Sequence, residues 1–267
     1  MSGLWVIWDF NGTILDDVRT GIESINRLLR RRGLPTIDSV EEYHSRFRFP
    51  IIDYYAGLGF DFTKEPYSEV AVEWVAEYDS LVPDAGLCPG VREAIDLIAG
   101  ERLAGGAGSE TNGSHRGSCG PGDRRLAGGA GSETNGSHRG SCGPGDRRLA
   151  GQIVLSATEQ NMLLRQISEL GLDGVFDEVL GMDNIEAHSK LPAALRFKER
   201  HPDARLVVIG DTTHDFEVAR AIGAECILVA SGHQSRATLE KCGVPVADNA
   251  IEAAEMIVKG IYGRQNN

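Results

Sequence analysis

The sequence predicts an α/β fold, a doubly wound, Rossmann-like parallel sheet, with an inserted all-helical segment. Two observations lead to this prediction. From residue 91 onward, apolar runs of strand length alternate with amphipathic helical patterns, which is typical of a parallel sheet with helices on both faces. Between residues 16 and 84 the apolar residues follow helical spacing alone. At 267 residues the chain is long enough for a core domain and a small cap.

The first predicted strand is the apolar run Leu4–Trp8, which ends abruptly in Asp9-Phe10-Asn11-Gly12-Thr13. A buried strand that delivers a carboxylate at its C-terminal end, followed by a glycine turn, is how open α/β sheets present reactive groups. Gly12 allows a tight turn that leaves backbone N–H groups free to bind an anion. We therefore expect Asp9 to lie at the edge of the sheet where ligands bind.

Residues 16–84 predict an all-helical cap between the first strand and the rest of the core. Four apolar residues at helical spacing are followed by three arginines and Gly33, which are the signals of a helix C-terminus. Further helices are predicted over Val40–Phe49, Ile51–Tyr55 and Tyr67–Leu81. The core domain would then comprise residues 1–15 and 85–267.

The remainder of the core predicts alternating helices and strands. Helices are expected over residues 91–99, 159–170, 192–200, 213–222 and 250–259, and strands over 152–155, 174–180, 205–209 and 225–229. Polar residues follow the strands: Ser156 ends one, and Asp211 ends another with Asp215 one turn further on. Because the C-terminal ends of parallel strands share one edge of a sheet, these side chains should lie near Asp9.

A tandem repeat interrupts the core. Arg102–Arg124 is repeated without change as Arg125–Arg147, and each unit of 23 residues contains seven Gly and one Leu. A solenoid needs an apolar stripe in each unit, which is missing here, so the composition predicts a disordered insertion. The alternative is a metal site formed by His115, Cys119, His138 and Cys142. The glycine-rich context disfavours it, because such a site would be costly to close.

Composition limits the partners and the compartment. The formal net charge of −12 argues against nucleic acid, which requires a basic surface. No apolar run approaches the roughly 20 residues of a membrane span. The five cysteines are odd in number and scattered, which favours reduced thiols in a cytoplasmic protein. The sequence leaves the oligomeric state open.

Four motifs in order resemble those of the haloacid dehalogenase (HAD) superfamily, in its phosphoglycolate phosphatase-like branch. They are Asp9–Thr13, Ser156-Ala157, Lys190 and Gly210–Asp215. The resemblance implies a Mg²⁺-dependent phosphatase that hydrolyses a small phosphomonoester through an aspartyl-phosphate on Asp9. It also implies roles for individual residues. The catalytic residues would be Asp9, Asn11, Ser156 and Lys190, the phosphate-binding residues Gly12, Thr13 and Ala157, and the metal ligands Asp9, the Asn11 carbonyl, Asp211 and Asp215.

Asn11 departs from the family pattern, which has Asp as general acid and base at this position. An amide cannot exchange a proton usefully, and general acid–base catalysis is typically worth about 10²–10⁴-fold in rate. Three interpretations stay open: a slow phosphatase, a catalytically weak or inactive HAD-fold protein with a binding or regulatory role, and a dehalogenase-like hydrolase.

The predicted cap carries an aromatic and basic cluster that is unusual in this acidic chain. Arg46 and Arg48 lie in it and could hold a second anionic group of the substrate, such as a carboxylate. The alternative is that the aromatic residues pack the cap and the arginines lie on its surface. On the core side, Ser231–Ser235 follows a predicted strand and is expected to line the site.

Overall fold

The computed structural model describes residues 3–106, 149–182 and 189–261. Its strands form one sheet in the order β3-β2-β1-β4-β5-β6, and every neighbouring pair is parallel. The strands are β1 Leu4–Trp8, β2 Leu149–Glu159, β3 Glu178–Met182, β4 Arg205–Gly210, β5 Glu225–Val229 and β6 Val246–Ala247. This is the strand order of doubly wound Rossmann-like sheets, so the predicted fold class is confirmed.

Helices cover both faces of the sheet and fill the interval between β1 and β2. The described helices are α1 Val18–Arg31, α2 Val40–Arg46, α3 Ile51–Gly57, α4 Tyr67–Leu81, α5 Val91–Gly106, α6 Gln160–Glu169, α7 Leu191–Arg200, α8 Thr213–Ala221, α9 Arg236–Leu239 and α10 Ala250–Lys259. None of them combines the length and the apolar character that a bilayer crossing requires.

β1 is an interior strand, paired on one side with β2 and on the other with β4. Alternate side chains of a strand point to opposite faces. Val6 and Trp8 accordingly belong to one buried cluster with residues of α5 and α10, whereas Ile7 joins a second cluster with residues of α7 and α8. The continuous apolar run of β1 therefore reflects burial on both faces.

Helices α1 to α4 share a third apolar cluster of their own, which includes Ile25, Leu28 and Tyr54. The basic end of α1 is held against the acidic face of α4: Arg31 pairs with Glu73 at 2.6 Å and Arg27 with Glu77 at 2.9 Å. The segment is thus helical, as the sequence predicts. That it forms a separate cap with boundaries at residues 16 and 84 stays a prediction.

The structure differs from the sequence-based elements at several ends. β2 is longer than the predicted 152–155, because it hydrogen-bonds to strands on both sides. β6 and α9 are too short to show a period and were not predicted. Helix α5 continues to Gly106, five residues into the first repeat unit. The rest of the repeat, including the alternative His/Cys metal site, lies outside the described residues.

Candidate active site

The site lies where the strand order reverses. β1 and β4 are neighbours in the sheet, but the chain leaves them in opposite directions, which opens a crevice at their C-terminal ends. Asp9 directly follows β1 and Asp211 directly follows β4. The backbone N–H of Asp9 donates to the Ile209 carbonyl at 2.8 Å, so the sheet itself positions the first carboxylate.

The turn after β1 packs tightly against Asp211. Gly12 has φ of 73°, and a Cβ added there would lie 2.3 Å from Oδ2 of Asp211. Glycine is therefore required both by the left-handed backbone and by the close approach. Thr13 is fully buried, and its hydroxyl donates to Oδ1 of Asp211 at 3.4 Å. The turn and Asp211 form one compact unit.

Lys190 supplies the buried positive charge of the site. It is the N-cap residue of α7 and is 4% exposed. Its ammonium group donates to Oδ1 of Asp9 and to Oδ1 of Asp215. Burial alone would lower the pKa of Lys190, but Asp215 and Asp9 raise it. Lys190 thus stays charged and holds two carboxylates in place.

Asp215 is oriented by the first turn of α8. It accepts hydrogen bonds from the backbone N–H of Thr212 at 2.9 Å and from the Thr212 hydroxyl at 2.6 Å, and Thr212 caps the helix in return. This reciprocal capping box leaves the other carboxylate oxygen free to bind Lys190. Asp215 therefore caps α8 and binds Lys190 at the same time.

Carboxylate oxygens of Asp9, Asp211 and Asp215 lie within 4.8 Å of one another, and all three residues are buried. Burial, reinforced by the charge of Asp215, raises the pKa of Asp9 well above its usual value. Burial also raises the pKa of Asp211 to about 6, although the His233 charge opposes the shift. A cluster of hard oxygen donors whose negative charges are this poorly solvated fits a Mg²⁺ ion.

The side-chain amide of Asn11 is fully engaged. Its Nδ2 donates to Oδ2 of Asp17 and to the Tyr78 hydroxyl, both at 2.9 Å. Its Oδ1 accepts from the hydroxyls of Thr158 at 2.9 Å and Ser156 at 3.3 Å. An amide offers two donors and two acceptor positions, so these contacts satisfy it and fix its orientation.

Asp17 and His233 form a buried pair that the sequence did not indicate as functional. Nε2 of His233 lies 3.1 Å from Oδ1 of Asp17, and its Nδ1 lies 2.8 Å from the Tyr43 hydroxyl. Burial disfavours the imidazolium, but Asp17 raises the pKa of His233 to about 9. Burial would raise the pKa of Asp17, but the charge of His233 keeps it below its usual value. The expected Ser231–Ser235 loop thus contributes to the site through His233.

Five of the eleven predicted site residues line one cavity of about 330 Å³. Asp9, Asn11, Lys190, Asp211 and the exposed Ala157 line it. The remaining wall comes mainly from the helical segment. Its side chains there are largely aromatic and aliphatic: Tyr43, Phe47, Phe49, Ile51, Tyr54, Tyr55, Tyr67, Ala71, Trp74, Val75 and Tyr78.

Arg46 and Arg48 do not line this cavity. Arg46 pairs with Glu42 of its own helix at 2.7 Å, with its side chain 42% exposed. Arg48 donates to the backbone carbonyl of Asp53 at 3.0 Å. The structure therefore brings the catalytic, phosphate-binding and metal-binding candidates together, but it does not bring these two arginines to them.

Comparison with known proteins agrees with this architecture. Residues 185–255 match the family model described as HAD-hydrolase-like. No curated protein sequence matches the chain.

Solved structures cover nearly the whole chain. A haloacid dehalogenase-like family hydrolase from Streptococcus pneumoniae superposes with a TM-score of 0.64 at 17% identity, over 94% of this chain and 96% of that one. A predicted phosphoglycolate phosphatase from Haemophilus somnus gives 0.60 at 12% identity, over 94% and 96%. Protein tyrosine kinase A from Mycobacterium tuberculosis gives 0.63 at 20% identity, over 95% and 97%. These likenesses establish the fold.

Proposed function

We propose that this chain, which has the fold of the haloacid dehalogenase-like hydrolases, is a Mg²⁺-dependent phosphatase acting on a small phosphomonoester. The observation that supports this most is the arrangement around Asp9. Its carboxylate lies at the switch point of the sheet, is bound by the buried Lys190, and has two further buried carboxylates within 4.8 Å. A nucleophile, a charge partner and a hard-cation site thus converge at one edge.

In the proposed reaction, a carboxylate oxygen of Asp9 attacks phosphorus, the bond from phosphorus to the ester oxygen breaks, and that oxygen leaves as the alcohol after taking a proton from water. Water then attacks phosphorus of the aspartyl-phosphate and gives a proton to solvent. The bond from phosphorus to the Asp9 oxygen breaks, inorganic phosphate leaves, and the Asp9 carboxylate is restored. Lys190 and Ser156, with the turn residues Gly12 and Thr13, would bind the phosphoryl oxygens and neutralise the charge of the transition state.

The donor set favours Mg²⁺ as the cofactor. Asp9, Asp211 and Asp215 would hold it together with the backbone carbonyl of Asn11, because Mg²⁺ prefers carboxylate and carbonyl oxygens. When bound, the ion supplies positive charge beside the phosphoryl oxygens and lowers the pKa of Asp9, so that its carboxylate is available as a nucleophile.

Asn11 favours a second candidate, a catalytically weak or inactive HAD-fold protein with a binding or regulatory role. Its side-chain amide contacts four side chains: it donates hydrogen bonds to two of them and accepts hydrogen bonds from the other two. An amide in this position can orient a group but cannot protonate the leaving oxygen. The same observation predicts slow turnover if the chain is an active phosphatase.

The sequence resemblance suggests a phosphoglycolate-like ester. The five cysteines, odd in number and scattered, favour the cytoplasm as the compartment. No basic surface for nucleic acid is expected from the net charge of −12.

The test is phosphate release from a panel of small phosphomonoesters with Mg²⁺. We expect Asp9→Asn to lower the rate by at least about 10³-fold. Asp16→Asn is the matched control, because Asp16 lies in the same turn but is exposed, and it should leave the rate unchanged. A parent protein that releases no phosphate from any ester, but does so after Asn11→Asp, would favour the second candidate.

A further inference from the structure

The cavity has two chemically different ends. The end formed by the core carries the polar groups: Asp9, Lys190, Asp211 and His233. The end formed by the helical segment is lined by aromatic rings that pack on one another, such as Phe47 against Tyr54, with centroids 5.3 Å apart. The phosphoryl group belongs at the first end, so the second must surround the rest of the ester.

The end formed by the helical segment carries no basic side chain among the described residues that line the cavity. Among the described residues that line the cavity, the basic side chains are Lys190, His214 and His233, all on the core. Lys190 already binds two carboxylates, and His233 binds Asp17. Asp17 and Glu159 also line the cavity. A carboxylate at that end would lose its hydration without gaining a cationic partner from the helical segment, and burying an unpaired charge is costly.

Tyr54 adds a specific requirement. It is 3% exposed and lines the cavity, and its hydroxyl has no hydrogen-bond partner among the described residues. Two other cavity tyrosines differ, because the Tyr43 hydroxyl contacts His233 and the Tyr78 hydroxyl donates to Asp17. A buried hydroxyl without a partner costs free energy, so a ligand atom that hydrogen-bonded to it would remove this cost.

We infer that the substrate is a phosphomonoester of an uncharged, predominantly aromatic alcohol that carries a neutral hydrogen-bonding group, and not an ester bearing a second anion. The inference rests on the proposed function, because it takes the core end of the cavity as the phosphoryl site. The aromatic wall receives the ring, and the Tyr54 hydroxyl meets the neutral polar group. Phosphoglycolate fits this cavity poorly.

Binding of two inert phosphonates tests the inference apart from turnover. Benzylphosphonate and phosphonoacetate share a phosphonate on a methylene group, and they differ in carrying a phenyl ring or a carboxylate. We expect calorimetric titration in the presence of Mg²⁺ to give benzylphosphonate a Kd at least about tenfold lower. Equal affinity, tighter binding of phosphonoacetate, or no measurable binding of benzylphosphonate would overturn the inference.

Two single substitutions, at side chains of similar exposure, test whether the ring of benzylphosphonate binds the aromatic wall. Phe49 and Ile52 are 37% and 38% exposed, but only Phe49 lines the cavity. Phe49→Ala should raise the Kd of benzylphosphonate about three- to tenfold, the range expected for losing one aromatic contact, and should leave phosphonoacetate within twofold. Ile52→Ala should leave both ligands within twofold. An equal loss in the two variants would show that the ring binds elsewhere.

Hydrolysis of acetyl phosphate tests the proposed function separately, because this small phosphoryl donor has no ring to bind the aromatic wall. If Asp9-dependent hydrolysis is observed but phosphonoacetate binds more tightly than benzylphosphonate, the substrate inference is wrong and the proposed phosphatase activity stands. If benzylphosphonate binds more tightly but no phosphate compound is hydrolysed, the preference of the cavity for an aromatic group is supported and the proposed phosphatase activity is wrong.

Discussion

Replacing Asn11 by Asp would put a second carboxylate against Asp17. The Nδ2 atom of Asn11 lies 2.9 Å from Oδ2 of Asp17, and a carboxylate oxygen in its place would meet a like charge at that distance. With an effective dielectric constant of about 20, two unit charges so close repel by about 6 kcal/mol. The pair avoids most of this cost by sharing a proton, so one of the two carboxyl groups acquires a strongly raised pKa.

The sign of the pH dependence follows from that raised pKa. The penalty is absent below the unfolded pKa of about 3.9 and grows by about 1.36 kcal/mol per pH unit until the folded pKa is reached. The Asn11→Asp variant therefore loses at most about 1.5 kcal/mol of unfolding free energy at pH 5 and more at pH 8, where the repulsion of about 6 kcal/mol is the upper bound.

Urea unfolding of the parent and the variant in EDTA, at both pH values, measures this difference. The double variant that exchanges the amide and the carboxylate, Asn11→Asp with Asp17→Asn, serves as the control. It should recover about 2 kcal/mol relative to the sum of the single changes, because it restores an amide–carboxylate pair. An Asn11→Asp variant as stable as the parent at pH 8 would refute the contact and the orientation assigned to the amide.

Three further predictions concern stability. In EDTA, the pairing of His233 with Asp17 stabilises the parent fully below pH 6.5, and this stabilisation of about 3 kcal/mol is lost as the pH rises through about 9. His233→Gln should abolish this pH dependence of the unfolding free energy, which urea unfolding measures. Lys190→Met leaves two buried carboxylates facing each other and should lower the unfolding free energy by about 3–5 kcal/mol at pH 7 and less at pH 5, whereas Arg196→Met on the exposed face of the same helix should change it little. Deleting the repeat unit Arg125–Arg147 should shift Tm by no more than about 2 °C. The composition predicts a disordered insertion, and roughly halving a connection of that kind changes its closure free energy by only about 0.6 kcal/mol. A loss of cooperative unfolding would contradict this prediction.

Residues at strand ends could be predicted from the sequence, because periodicity locates strands and parallel strands end at one edge. Asp9 and Asp211 meet in the structure for that reason, and Lys190 joins them from the start of a helix. The local pattern around each of these residues carries the information. Their separation along the chain does not matter once the strand order is known.

The contacts between the helical segment and the core could not be predicted in this way. Asp17 is bound by His233, 216 positions later, and by Tyr78, 61 positions later. No periodic signal specifies such a pairing, since it depends on how α4 and the loop after β5 pack over the turn that follows β1. Arg46 of α2 shows the same limit: its charge predicted a role in binding, but it pairs with Glu42 on the surface.

The interior position of β1 has a consequence for biosynthesis. This strand leaves the ribosome well before its pairing partners, which are β2, beginning at Leu149, and β4, beginning at Arg205. At about 5–20 residues per second, roughly 10–40 s pass before both partners have been made. During that time a strand of five residues with two tryptophans stays unpaired. We expect nascent chains stalled before β4 to bind chaperones or aggregate, and the tandem repeat lengthens the delay.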